Sequence, residues 1–190
     1  MTDNLTLKNI IEAKLKNPYT ENKTIDQLRK ETDDAGNKIP LPKYTKFKRV
    51  SVGNIDAEWI TCGEFESDKI FMFMHGGGYY RGSIASTRAT VARISAEAKV
   101  RCLSIEYGLA PEHPFPAAID DTYTAYNWLL KEGVNPKNII VSGICWWWVM
   151  FSIIIEIERK KFFPAKGCCC FKPLDRPYSI REDNESQRGD

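Results

Sequence analysis

No stretch of the 190 residues is apolar for long enough to cross a bilayer. A spanning helix needs roughly 20 apolar residues, and the run from Trp146 to Ile155 falls short of that. An excess of one charge is lacking too. The 27 Lys and Arg against 25 Asp and Glu leave a net charge of +2, so neither a nucleic-acid nor a membrane partner is expected. The opening "MTDNLTLKNIIEAKLKN" has no apolar signal core, which predicts a cytoplasmic protein. The six cysteines lack a paired framework: Cys62 and Cys102 precede Gly143, and Cys145, Cys168, Cys169 and Cys170 follow it. Without a secretory signal, free thiols are expected. Three adjacent cysteines lack the spacing that turns two thiolates onto one zinc, so no metal and no other cofactor is expected. Histidine is scarce: His75 and His113 are the two present.

What is present is an ordinary globular composition, 43% hydrophobic and 27% charged, enough for one sizeable core. Leu5, Leu7, Ile10, Ile11 and Leu15 have helical spacing, which predicts an amphipathic helix over 5–16. Ile25 to Lys30 reads as a second, short helix, and "DDAGNKIPLP" as a loop. "KFKRVSV" and "AEWITCG" alternate like the arms of a hairpin around "GNID". "KIFMFM", "VRCLSIEY" and "KNIIVSG" read as sheet strands, two of them apolar enough for burial on both faces. Helices are expected over Ser86–Lys99 and Pro116–Glu132, with Pro116 in the first turn. This alternation predicts an α/β fold, a mostly parallel sheet with helices on both faces.

The chemistry begins at "MHGGGYYRGS", directly after a buried strand. Gly76, Gly77 and Gly78 let the backbone turn and aim its amides at a ligand, the arrangement that stabilises an oxyanion. A plain glycine loop after a strand is the competing explanation for these residues alone. There is no G-x-G-x-x-G, and no Lys–Ser/Thr follows the glycines, so a phosphate cradle is not expected.

"SIEYGLAPEHPFPAAIDDTYTAYNWL" completes the pattern. Together with "HGGGYYRGS" it resembles the hormone-sensitive-lipase branch of the α/β hydrolases, the carboxylesterases with an HGGG motif. The resemblance covers most of residues 1–143. It implies cap helices near the N-terminus (1–35), a partial hydrolase domain over 1–143, and a small-molecule ester as substrate, cleaved by a Ser-Asp-His triad and an HGGG oxyanion hole. It implies an oxyanion role for Gly76, Gly77 and Gly78, and supporting roles for His75, Glu106, Tyr107 and His113. It implies nothing about oligomeric state. Gly108 departs from the family, which usually has arginine there.

A second departure is larger. The family continues "SG" with D-S-A-G-G, a nucleophile elbow at a strained strand-to-helix turn. Here Gly143 is followed by Ile144, Cys145, Trp146 and Trp147. Cys145 falls at the serine position, but two large indoles follow where the elbow is crowded, and neither histidine is a base in the family. The genetic code accounts for the run. TGG-TGG-TGG, read in another frame, is a string of glycine codons, and the bases before it spell serine and alanine. The same offset turns "GCCCFKPLDRPY" into Ala-Ala-Val-Ala-Leu-Ser-Pro-Trp-Thr-Asp-Leu-Thr, a buried strand and an SPWTDLT motif carried by the family. The expectation is a frame change near Gly143 and an aberrant tail over 144–190 that is disordered or poorly packed, leaving the edge of the last strand exposed. The chain is then truncated and inactive, with its elbow lost at Gly143, Ile144 and Cys145. The alternatives are a catalytically dead, ligand-binding member of the same fold and a non-functional fragment.

Overall fold

The computed structural model describes residues 23–65 and 68–145, and the backbone of 168–170. The predicted helix over 5–16 lies outside the described residues.

Three helices and six strands are described. They are α1 (Ile25–Asn37), β1 (Thr45–Val52), β2 (Ile55–Cys62), β3 (Ile70–Met74), α2 (Ile84–Ala98), β4 (Arg101–Glu106), α3 (Ala117–Lys131), β5 (Ile139–Gly143) and β6 (Cys168–Cys170). One sheet holds all six strands in the order β1-β2-β4-β3-β5-β6. β1 and β2 form the predicted antiparallel hairpin, with Val52 opposite Ile55 and Gly53-Asn54 as its loop. β2 runs antiparallel to β4. β3 is parallel to β4 on one side and β5 on the other.

All five residues of β3 are buried because helices cover both of its faces. Met72, Met74, Leu103 and Ile105 meet Ala125, Tyr126 and Leu129 of α3 on one face. Phe71, Phe73, Ile60 and Cys102 meet Val91 and Ala92 of α2 on the other. Each large side chain buried this way contributes about 1.5–3 kcal/mol. The Cys102 thiol sits in the second cluster, where burial pushes its pKa up to about 12 and leaves it a small apolar group.

Two helix starts are fixed locally. Thr24 and Gln27 form a reciprocal capping box at α1, and Ser83 and Ser86 form one at α2. Pro116 stands at the N-cap of α3, one residue before the first turn expected for it.

Two expectations need correction. α1 does not stop near Lys30 but runs through "DDAG" to Asn37. Its Gly36 lies against α2: a Cβ there would stand 2.4 Å from the Ser86 Cα. That glycine is a helix-contact residue, and tertiary packing overrides its loop-like local signal. Finally, the edge of β5 is not left open along its whole length. Cys168–Cys170 pair parallel with Val141–Gly143 as a sixth strand. Hydrogen bonding to an open parallel edge needs no particular side chains.

Candidate active site

The C-terminal ends of the three central strands converge. Met74 is opposite Ile105 of β4 and Gly143 of β5, so the segments beginning at His75, Glu106 and Ile144 leave the sheet side by side. A crevice beyond the strand ends is where open α/β sheets place their chemistry.

His75 is fully buried beneath the glycine loop. Its ring stacks on Tyr107, centroids 4.2 Å apart. Its Nδ1 is 3.0 Å from the Gly76 carbonyl oxygen, which can only accept, so Nδ1 carries the proton in that contact. Its Nε2 is 3.4 Å from Glu106 Oε1. The Tyr107 hydroxyl donates to the His75 carbonyl at 2.9 Å, and the other Glu106 oxygen accepts from the Ile84 amide at 3.0 Å. His75, Glu106 and Tyr107 thus form one cluster that holds the root of the loop and the start of α2. His113 is not part of it. It is exposed, its amide donates to Leu109 O at 2.8 Å, and a Cβ on Gly108 would come within 2.8 Å of its own Cβ. The glycine at 108 therefore fits the position His113 takes here, and any larger residue requires His113 to move.

The loop itself is tightly wound. Gly77 has φ +131, and a Cβ there would lie 2.0 Å from Arg81 O. Its carbonyl accepts from the amides of Tyr80 (3.4 Å) and Arg81 (3.2 Å). Gly78 has φ +64. Gly76 lies under Ile144, whose side chain and carbonyl would be 3.0 Å from a Cβ at 76. The amides of Gly76 and Gly77 donate to no described residue. The loop backbone and the chain leaving β5 therefore touch, as a hydrolase site requires of its oxyanion donors and nucleophile.

Beyond β5, the Ile144 amide donates to Met74 O at 3.2 Å, and Cys145 takes a left-handed φ of 62. A non-glycine residue in that region is uncommon and strained. Cys145 is exposed, and the pKa of Tyr79 is raised, chiefly by burial and to a lesser extent by Cys145. Tyr79 is itself left-handed, with φ 67.

Several residues of this region carry no sequence signal. Arg29 of α1 donates through Nε to Tyr80 O (2.8 Å), through NH2 to Ala110 O (2.9 Å), and through both NH groups to the Glu112 carboxylate at 2.7 and 2.9 Å. It joins the first helix to both loops that border the cleft. That hydrogen bond holds the Glu112 carboxyl down at about 2. Asp33 accepts from the Ser83 hydroxyl, and Asp121 accepts from the Gly108 amide at 2.7 Å. Gly82 has φ +89 and sits where a Cβ would meet Gly76 O at 2.1 Å. Among these, "Gly82-Ser83" before a helix was the one legible hint, as a capping signal. Among the described residues no group of three His, Cys, Asp or Glu is arranged to hold a metal ion.

Comparison with known proteins agrees with this geometry. Residues 71–145 match a family model of the alpha/beta hydrolase fold. An esterase of Acinetobacter venetianus is 29% identical over 136 residues, 72% of this chain and 45% of the relative. An acetyl-hydrolase of Streptomyces hygroscopicus is 34% identical over 94 residues, 50% of this chain and 31% of the relative. The crystal structure of an esterase from the bacterial hormone-sensitive lipase family superposes with a TM-score of 0.78 at 30% identity, covering 86% of this chain and 55% of its own. The chain thus spans less than half the length of these curated relatives. Its fold is the first part of an α/β hydrolase. Within that fold it is similar to esterases, one of them from the bacterial hormone-sensitive lipase family. No helix of the described residues is long and apolar enough to cross a membrane.

Proposed function

We propose that residues 23–143 are the oxyanion-hole half of a serine carboxylesterase acting on short-chain esters, with α1 as part of its cap, and that the 190-residue chain does not itself hydrolyse esters. The observation that carries this is the contact between the HGGG loop and the end of β5. Gly76 lies against Ile144, and the left-handed residue that follows Ile144 is Cys145. In an esterase the elbow position holds a serine activated by histidine. His75 is committed to Gly76 O and Tyr107, and His113 is exposed, with its amide bonded to Leu109 O. A neighbouring esterase, 31% identical with a TM-score of 0.76, was soaked by p-nitrophenyl butyrate, which supports a small acyl ester as the substrate class.

A frame change near Gly143 explains the elbow. One offset converts both the tryptophan run and the cysteine run into family sequence. Cys168–Cys170 is where that offset reads Ala-Val-Ala, and its pairing beside β5 is consistent with a buried strand at that point.

Two experiments test the proposal. The purified chain should hydrolyse p-nitrophenyl butyrate no faster than its Gly76→Pro variant; saturable turnover abolished by Cys145→Ala would make Cys145 the nucleophile and overturn it. Sequencing the gene across the codons for Gly143 and Ile144 should reveal an open alternative frame reading D-S-A-G-G and then SPWTD; stop codons in that frame would sink the frame account. In the restored protein, elbow serine to alanine should cost on the order of a million-fold in turnover. Weakening the loop at Gly76 or Gly77 should cost about a hundred- to a thousand-fold.

A further inference from the structure

We propose that the face of the sheet formed by β1, β2 and β4 carries a second site, which binds a small phosphate-class anion. The strand register places Lys46 opposite Thr61 and Lys48 opposite Trp59. Trp59 in turn faces Leu103, which brings Arg101 level with Thr61 on that same face. These residues line an open groove of about 340 Å³. Because side chains alternate along strands, the three carboxylates in these strands, Asp56, Glu58 and Glu106, all fall on the opposite face. Glu58 is spent there on Arg88, at 2.7 and 3.1 Å. Three cations therefore share one groove with no carboxylate from their own strands.

Edge protection explains lysines on β1, since an edge strand is kept from aggregating by exposed charge. It does not explain Arg101, which is on an inner strand. The Arg101 guanidinium lies 5.3 Å from the Trp59 ring centroid and 5.4 Å from that of Phe65. Two aromatic contacts fix its plane and strip water from its faces. Its buried Nε has no hydrogen-bond partner among the described residues. A positive charge held rigid beside two more, with no ion pair to a described residue, is stabilised when an anion completes it. Arginine supplies a fork for two phosphate oxygens, the lysines supply mobile charge, and the Thr61 hydroxyl supplies a further donor. The groove is larger than one phosphate, so a diphosphate or phosphate ester fits better than a lone ion. The site is separate from the ester cleft, so its failure leaves the esterase proposal untouched.

The test is calorimetric titration of the full chain with inorganic pyrophosphate in 150 mM salt. Saturable one-to-one binding is expected. Arg101→Gln should weaken it at least tenfold, Lys46→Gln with Lys48→Gln should weaken it severalfold, and Lys30→Gln on α1 should leave it unchanged. A nucleoside diphosphate that binds more tightly than pyrophosphate identifies a phosphate ester as the ligand; equal affinity identifies the free anion. Absence of saturable binding overturns the proposal, as does an equal loss in the Lys30 variant. Binding only to vesicles containing phosphatidic acid overturns it in favour of a membrane. If Arg101→Gln loses its circular dichroism signal, the double lysine variant on the exposed edge decides, and unchanged affinity there overturns the site.

Discussion

Gly82 and Gly133 have similar backbones, φ +89 and +83, but different surroundings. A Cβ at 82 meets Gly76 O at 2.1 Å and His75 Nδ1 at 2.7 Å, whereas a Cβ at 133 meets nothing within 4 Å. Replacing Gly133 by alanine should cost only the left-handed penalty, about 1 kcal/mol. Replacing Gly82 by alanine should cost about 1–3 kcal/mol more, because the HGGG loop must also move. Urea melts of both variants check this; equal losses would mean that the loop gives way freely. Glu58 supplies a second contrast. It is 2% exposed and held by Arg88 through two hydrogen bonds. Arg88→Met strands a buried carboxylate and should cost about 3 kcal/mol, whereas Arg88→Met with Glu58→Leu should recover most of it. A double variant no more stable than the single one would show that the pair is not the source of the loss.

At the scale of elements, α1 is attached by a close helix contact at Gly36, the Arg29 hydrogen bonds and the bond from the Ser83 hydroxyl to Asp33. Gly36→Ala should push α1 off α2, since Ser86 backbone atoms stand 2.4 Å from the added carbon. Hydrogen exchange should speed up in 25–37 while β3 stays protected. The Arg29–Glu112 tie has a defined pH window. Glu112 is lowered from 4.5 to about 2 in the folded chain, chiefly by its hydrogen bond to Arg29. A depressed carboxyl stabilises fully above its unfolded value, so the tie is intact from neutral pH down to about 4.5. Its contribution is then lost as pH falls through about 2. Exchange in the 79–82 and 109–112 loops should therefore rise in Glu112→Gln at pH 7, and rise in the parent chain only well below pH 4.5. Loops already equally mobile at pH 7 in both proteins would contradict the clamp.

Across the whole molecule, the segregation of charge matters more than its sum. A net charge of +2 excludes little when one face of the β1-β2-β4 sheet carries Lys46, Lys48 and Arg101 while the strands' carboxylates lie on the other. The sheet also sets where stability resides. β3 is central, buried on both faces and paired on both sides. Its amides should exchange slowest of all, near the global unfolding limit, with β1 amides faster; the reverse order would place the core elsewhere.

The periodic patterns of 46–62, 69–74, 100–107 and 138–143 determined the strands, because burial on one face or two leaves a period that is local in sequence. The HGGG and APEHP stretches determined the kind of loop and the family it resembles, because a backbone that must approach a ligand admits few residues. The departure from the family pattern after Gly143 was equally legible, since Ile144, Cys145 and three tryptophans stand where D-S-A-G-G is expected. Tertiary structure alone decided that α1 runs on to Asn37, that Arg29 joins it to two loops some 50 and 80 residues away, and that Cys168–Cys170 lie beside β5. It also decided that Arg101 shares a groove with Lys46 and Lys48. Each of these depends on surfaces that meet only after the chain has folded, so no local period or spacing records them.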